Sequence, residues 1–557
     1  MVGKHSFKMG YELLQLNIRV DDTNPLYGID GYGGFFSRPA GGTANTTVYS
    51  LADFYTGARA SYQLATQVEA KVRQQAHWWY FQDDFKVSDK LTLNLGLRYE
   101  LTSPFYDGDN KLSNWNPATN QIEVTKGGGI SERALRNLDK NNFAPRIGAA
   151  YKINSKMVVR GGYGLGYNYW NRMASAELLS TNAPFVTRFS RQNSAANLGN
   201  FCGGNSFDNC FRTREQGYPT NLPSNVILYT QRDMPFGYIQ NWHVSLQYNL
   251  LKNTLIDVAY VGNKGTLLPL LGDFNQARPI TAAEHAQGMT TLGTLQARRP
   301  FAGFGNITSV VPTGFSNYNG LQMKFEQRGK YLQLLSSFTY SKAIDNVGQV
   351  LEGTNGGSPN PQDIRNPKND RGASSFDQRF NSTTSFSYDL PFFKKNYLLG
   401  GWNVASIITL TSGQPLNIRY PDNEARLSDG QADFLGNVAL RPNLIDPALG
   451  AKAPDAVRDY TNYFNRTNLV IPNANSPFGS LGRNVVYGFP LYQVDFTVAK
   501  SFALTERFKL MFRSEFFNLL NKTNFSAPQI DLTSAAFGRV SNTFDPRAVQ
   551  LALKLSF

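Results

Sequence analysis

The sequence predicts an all-β chain, a transmembrane antiparallel β-barrel with short periplasmic turns at one end and long extracellular loops at the other. Three observations predict it: segments in which apolar and polar residues alternate one for one, the pairing of those segments across tight turns, and long polar connections between the pairs. No run approaches the roughly eighteen consecutive apolar residues that a membrane-crossing helix requires. A mean hydropathy of −0.36 fits a barrel, because half of every strand faces a wet lumen and the loops are hydrophilic.

From the N-terminus, His5 to Val20 reads as an extended strand, VDDTNPLYG (20–28) supplies turn residues, and GYGGFFSR (31–38) reads as a second, shorter strand. AHWWYFQDDFKV (76–87) then turns at Ser88-Asp89 into LTLNLGLRYEL (91–101). In that segment Leu91, Leu93, Leu95, Leu97, Tyr99 and Leu101 alternate with Thr92, Asn94, Gly96, Arg98 and Glu100, a period of two that no helix produces. The unit recurs as 144–152 with 157–169, 237–250 with 254–265, 318–328 with 331–342, 376–390 with 398–411, and 489–502 with 506–520. Each tight connection makes a hairpin. The chain ends on PRAVQLALKLSF (546–557), where Val549, Leu551, Leu553, Leu555 and Phe557 share one parity. Such an apolar edge invites aggregation in a soluble sheet, whereas in a membrane barrel the strand has a neighbour on each side and its apolar face meets lipid.

The connections between hairpins run over about 102–143, 170–236, 266–317, 343–375, 412–488 and 521–545, rich in Asn, Gly, Pro and Ser. Unstructured loops of this length are improbable inside a compact soluble domain. No linker composition divides the 557 residues into separate domains. Parity separates Phe508, Leu510, Phe512 and Phe516 from Lys509, Met511, Arg513 and Glu515, and Leu321, Met323 and Phe325 from Gln322, Lys324 and Glu326. Arg98, Glu100, Arg160, Lys324, Glu326, Arg513 and Glu515 are thereby expected to face the lumen, as a lining of compensating charges. Trp78, Trp79, Tyr80 and Phe81 include candidates for an aromatic girdle.

The net charge of +14 comes from scattered Lys and Arg with no basic helix or dense basic run, which argues against a nucleic-acid partner; a solvated lumen and loops facing anionic lipopolysaccharide account for it. Cys202 and Cys210, the only two cysteines, stand eight positions apart in FCGGNSFDNC and suggest a disulfide-closed loop in an oxidising compartment rather than a metal site. The four histidines, His5, His77, His243 and His285, have no partners at ligand or triad spacing, so no metal, cofactor or catalytic residue is assigned and no enzyme is expected. GYGLGY (162–167) and DGYGG (30–34) lack the Lys-Ser/Thr and helix of a phosphate loop. Asp83-Asp84 and Asp107-Gly-Asp109 read as solvated turn residues before they read as calcium ligands.

Residues 1–20 show no secretion signal, so Met1 is not expected to be the natural start of an exported protein. Twelve hairpin strands, the terminal strand and two in 5–39 make about fifteen. Even-stranded barrels keep both termini on the short-turn side. Tracing back from Phe557 sends 5–20 down toward a short turn and places Met1 on the loop side, which implies a missing front.

The stretches QDDFKVSDKLTLNLGLRYE (82–100), APRIGAAY (144–151), SNYNGLQMKFEQR (316–328), FTYSKAIDN (338–346), GWNVASIITLTSGQPLNI (401–418), FRSEFFNLLNKTNF (512–525) and FGRV (537–540) span nearly the whole chain. In order and spacing the chain resembles the C-terminal barrel of TonB-dependent outer-membrane receptors, especially the Oar-like group with a carboxypeptidase-regulatory-like domain. The resemblance implies about 22 strands in the complete barrel, of which residues 1–557 form the C-terminal part. It implies that the N-terminal plug, the regulatory-like domain, the TonB-coupling segment and the first strands lie outside this sequence. It further implies that Val549, Leu551, Leu553, Leu555 and Phe557 form the signal read by the barrel-assembly machinery. The expected location is the bacterial outer membrane, with lipid and lipopolysaccharide as surroundings, TonB as a partner only through the missing segment, and a bulky, unidentified ligand taken up through the barrel. A passive porin and a surface-adhesion or envelope-structural barrel are the alternative functions; the fold itself does not choose among ligands.

Overall fold

Alternation drives the predicted segments into strands, and the computed structural model describes all residues except 1–2, 21–27, 35, 40–46, 59, 66–67, 170–178, 187, 193–225, 288–295, 302, 347–360, 394–395, 422–438 and 474. Among the described residues the main sheet has 17 strands, of which Tyr106–Asp107, Val226–Thr230 and Gly372–Ala373 are short additions, leaving fourteen long ones. In chain order these are β1 (His5–Val20), β2 (Ala70–Lys86), β3 (Leu91–Thr102), β4 (Phe143–Lys152), β5 (Met157–Asn168), β6 (Gly237–Leu251) and β7 (Thr254–Asp273). They continue as β8 (Asn306–Arg328), β9 (Leu332–Asp345), β10 (Phe380–Asp389), β11 (Trp402–Thr411), β12 (Leu491–Ala503), β13 (Lys509–Phe517) and β14 (Ala548–Ser556). Each pairs antiparallel with the next, so the wall is one continuous up-and-down meander. β1 and β14 are its edges, and among the described residues no pairing closes one onto the other.

Two expectations are corrected here. Among the described residues, GYGGFFSR does not form a wall strand: Ile29–Gly31 is extended there, and it pairs with Ser61–Ala65 in a separate three-stranded sheet. Gly34, at φ +69°, turns the backbone out of the extended region immediately afterwards. Among the described residues the wall therefore has fourteen long strands rather than about fifteen. With that strand removed, the direction of β1 reverses. His5 lies opposite Phe85 and Val20 opposite Ala70, so β1 starts at the short-turn end, where Ser556 of β14 also lies, opposite Lys509. Parity therefore no longer places the first strand's start on the loop side.

Burial is inverted along the wall. Val244, Ile147, Leu97, Met323 and Leu551 are 57%, 55%, 48%, 41% and 68% exposed, although all are apolar. A contiguous apolar belt far larger than a soluble monomer carries marks a surface that meets lipid. Tight packing operates on it locally: a Cβ added to Gly262 of β7 would sit 2.4 Å from the Trp242 indole, so glycine there lets the ring lie flat on the neighbouring strand.

The buried hydrophobic residues instead collect in the long connections. Leu416, Ile418, Tyr420, Leu440, Tyr463, Phe464, Leu481, Val486, Leu532 and Phe537 form one core shared by the 412–490 and 518–547 connections. Trp115, Ile227, Tyr229 and Ile307 form another, with Phe301 edge-on to Trp115 at 4.5 Å. The loop predicted at 266–317 is shorter than expected because β7 and β8 run beyond the alternating segment. Leu270 to Asp273 are all buried, since this part of the hairpin is packed on both faces within the loop cores rather than lying between lipid and lumen. Register shifts between Gly265 and Leu270 mark the change.

Candidate functional site: the polar wall and the loop clasp

Cross-strand partners share a face, so register carries a face assignment around the sheet. From β3 to β4 the partners are Arg98 and Ala144; across β4, β5 and β6 they are Ala150, Arg160 and Ser245. Gln247, Asp257, Lys324 and Ser337 continue across β6 to β9. Leu335, Ser385, Ile407 and Asp495 lead to β12, and Thr497 faces Glu515. Arg98, Glu100, Arg160, Lys324, Glu326, Arg513 and Glu515 thus lie on one face. Three basins of about 750, 700 and 520 Å³ are lined chiefly by residues of that face, among them Arg98, Arg146, His243, Lys324 and Arg513, which makes it the concave side.

The structure brings most of these charges into local pairs. Arg98 meets Glu100 at 2.8 Å and Glu12 at 3.5 Å, with its guanidinium 4.7 Å from the centre of the Trp78 ring. Lys324 meets Glu326 at 2.7 Å and Arg513 meets Glu515 at 2.5 Å. Lys8, on β1, pairs with Asp84 at 3.1 Å. Arg160 instead donates to the Gln247 side chain. Most are spacings of two along a strand or a diagonal to the neighbouring strand, the distances at which side chains of one face meet, while Glu12 of β1 reaches Arg98 of β3 across β2. Of the four aromatic girdle candidates, Trp79 and Phe81 lie on the apolar face, while Trp78 and Tyr80 lie on the polar one, opposite Glu100 and Arg98.

Asp107 is buried rather than solvated. Its carboxylate accepts main-chain N–H bonds from Lys71 at 2.6 Å, Asp109 at 2.8 Å and Lys111 at 2.7 Å, which holds the first turn of the 103–142 connection. Asp109 pairs with Lys71 at 3.0 Å, and that ammonium holds its carboxyl below the ordinary aspartate range. Asp83 contacts the His5 ring at 2.7 Å. Among the described residues no three His, Cys, Asp or Glu side chains gather as metal ligands. Cys202 and Cys210 lie outside the described residues. Val549, Leu551, Leu553, Leu555 and Phe557 lie on or just beyond edge strand β14, 53–83% exposed.

Sequence reasoning missed a second constellation, at the long-loop end. Asp345, the last residue of β9, pairs with Arg483 of the 412–490 connection, and Arg483 also donates to the Asp370 carbonyl at 2.7 Å. Asp370 in turn pairs with Arg441, whose Nε donates to the Leu481 carbonyl at 2.9 Å. All four side chains are buried. Beside them Tyr487 donates to Asp377 at 2.6 Å and accepts from Arg379 at 2.9 Å, and Tyr463 donates to the Tyr487 carbonyl. Elsewhere in the cap, Asn114 exchanges two bonds with the main chain of Thr230, and Asn182 does so with Leu228, each standing in for a strand partner. No local pattern announces these pairs, because their members are tens of residues apart in Asn- and Pro-rich sequence.

Burial is the main cause that pushes the Tyr463 and Tyr487 phenols up to about 12; for Tyr487 the Asp377 carboxylate adds to it. With folded values above the ordinary 10.0, their contribution to cap stability is complete below pH 10 and is lost as pH rises through about 12. Spectrophotometric titration at 295 nm should therefore show late-ionising tyrosines, and that late component should shrink by two phenols in a Tyr463→Phe/Tyr487→Phe variant. A titration curve unchanged by the substitutions refutes the assignment.

A family model described as "Outer membrane beta barrel domain" matches residues 1–550. No curated protein matches the chain. Among solved structures, the chain is similar to the outer membrane transporter YddB from Escherichia coli, at 11% identity over 100% of this chain and 52% of that one, TM-score 0.49. It is also similar to the ferric-catecholate import receptor Fiu from E. coli K12, at 10% identity over 99% and 52%, TM-score 0.42. The siderophore receptor PirA from Acinetobacter baumannii matches at 14% identity over 87% and 46%, TM-score 0.41. The chain spans about half the length of these structures or less.

Proposed function

The chain belongs to the outer membrane beta barrel domain family and is an integral outer-membrane protein; from that premise we propose that it forms part of the barrel of a TonB-dependent receptor that takes up a bulky ligand. In this reading the residues 1–557 are the C-terminal part of the barrel, and the plug and the TonB-coupling segment belong to further sequence. The paired charges of the concave face line the lumen, outer-membrane lipid meets the apolar belt, and the loops face lipopolysaccharide and the ligand. Val549, Leu551, Leu553, Leu555 and Phe557 serve as the signal for the assembly machinery, and Cys202 with Cys210 close a loop.

The observation that carries the proposal is the folded cap. A passive pore needs only a wall and short connections, whereas here the long connections are organised by buried cores and ion pairs at the mouth of a polar, concave wall. A preorganised surface of that kind loses little ordering entropy on binding. The test compares uptake of labelled ferric siderophores, oligosaccharides and peptides by cells with and without the gene, each with and without a protonophore. Gene-dependent uptake abolished by the protonophore is the expected result. Gene-dependent uptake that survives it refutes energised transport in favour of a porin, and uptake of all probes unchanged by deletion refutes transport in favour of an adhesion or envelope-structural barrel.

A further inference from the structure

Five of the six short turns span two to five residues, at 87–90, 153–156, 252–253, 329–331 and 504–508, whereas β10 and β11 are joined by 390–401. Within this longer connection Phe392, Phe393, Tyr397, Leu398 and Leu399 are 60%, 67%, 59%, 67% and 56% exposed. Asn396 organises its second half, accepting the main-chain N–H groups of Leu398 and Leu399 at 2.9 Å through its side chain. Gly401, at φ +75°, then takes the chain back into the wall.

The direction in which this connection folds follows from Lys500. Trp402, Lys500 and Phe512 are register partners across β11, β12 and β13 on the apolar face. An ammonium on that face is costly unless it is given partners. Lys500 is only 4% exposed, and its Nζ donates to the main-chain carbonyls of Tyr397 and Leu398, with the centre of the Phe502 ring 4.6 Å away. The Tyr397 ring packs on Phe502 at 5.6 Å and its hydroxyl donates to the Ala503 carbonyl, while Trp402 Nε1 donates to the Leu398 carbonyl at 3.1 Å. Every one of these contacts is to the apolar side of the wall. Tyr397 and Leu398 thus fold this part of the connection outward over the membrane-facing surface, not down from the rim.

We propose that the described part of this connection, residues 391–393 and 396–400, is a membrane anchor that lies in the periplasmic leaflet, with Phe392, Phe393, Leu398 and Leu399 at the boundary between headgroups and acyl chains. The lipid is the occupant because the exposed side chains continue the apolar belt of β11 to β13, and because they stand at the ends of β10 and β11, where the hydrocarbon gives way to headgroups. Aromatic and leucine side chains with a lysine turned back onto carbonyls suit that depth. The inference rests on the membrane-facing assignment of the apolar face, which the test checks separately.

The full chain, in a Cys202→Ser/Cys210→Ser background, is refolded into phosphatidylcholine–phosphatidylethanolamine vesicles with a nitroxide at Phe393→Cys or Leu398→Cys. Collision with oxygen, which concentrates in lipid, is compared with collision with a water-soluble nickel chelate. Met323→Cys on the apolar face and Ser155→Cys in the 153–156 turn supply the lipid and water references. Labels at 393 and 398 are expected to favour oxygen, as at 323, and Lys500→Met is expected to raise nickel access at 398 as the connection detaches. Nickel-favouring labels at 393 and 398 beside an oxygen-favouring label at 323 overturn the anchor. Labels shielded from both reagents overturn it in favour of cover by protein. A nickel-favouring label at 323 overturns the membrane-facing assignment itself.

Discussion

Replacing Arg483 with alanine is expected to cost the loop cap about 3–5 kcal/mol, the usual consequence of stranding one member of a buried ion pair. Asp345 and Arg483 are 3% and 8% exposed, and Asp345 also accepts from the Ser374 hydroxyl. Removing the guanidinium leaves a carboxylate with no cation in a site closed to water, and it frees the Asp370 carbonyl that Arg483 Nε held. Asp370 belongs to the neighbouring pair with Arg441, so the loss should spread through the clasp. The wall takes no part: β9 keeps its register with β8 and β10 below Asp345. Hydrogen exchange should therefore accelerate in 361–379 and 439–488 while heat-modifiable migration of the barrel persists. An Asp345→Leu/Arg483→Met double variant should recover most of the protection, because a well-packed apolar pair is often as stable as a buried ionic one. Exchange in Arg483→Ala at the wild-type rate would show that the clasp does not hold the cap.

Met323→Arg should destabilise the membrane-inserted barrel by about 2–4 kcal/mol, and Gln322→Arg by no more than about 1 kcal/mol. The residues are adjacent, so propensity and position along the strand are nearly constant; only the face differs. Met323 lies between Val258 and Phe338 on the apolar side, and Gln322 lies between Ala259 and Thr339 on the polar side. The short turn begins at residue 329, and a tilted strand crosses the hydrocarbon in about 9–11 residues, which sets Met323 near the bilayer midplane. Equilibrium unfolding from phospholipid vesicles measures both. Equal losses from the two substitutions would mean that the two faces do not meet different solvents.

The hairpins were legible because a strand between lipid and water must alternate: Leu91 to Leu101 carries its own face assignment in a local pattern. Register could then be inferred from the turns, which is why Arg98, Glu100, Arg160, Lys324, Glu326, Arg513 and Glu515 fall on one side. GYGGFFSR misled because aromatic residues with glycine resemble a short strand, while the positive φ at Gly34 that ends it has no local signature. Lys500 sits at an apolar parity without violating the rule, since the carbonyls that satisfy it belong to a turn about a hundred residues earlier.

By itself the sequence determined the class of fold, the order of the hairpins, the two faces of each strand and the membrane in which they are stable. A period of two is a local property, and the solvent on each side of a strand selects it residue by residue. Only the tertiary structure decided that the long connections carry folded cores, that Asp345, Asp370, Arg441 and Arg483 form one buried clasp, and that Tyr397 and Leu398 of the β10–β11 turn lie against the apolar face of the wall. Those outcomes depend on groups distant in the chain meeting in three dimensions, where burial turns a charge from an ordinary loop residue into one that must have a partner.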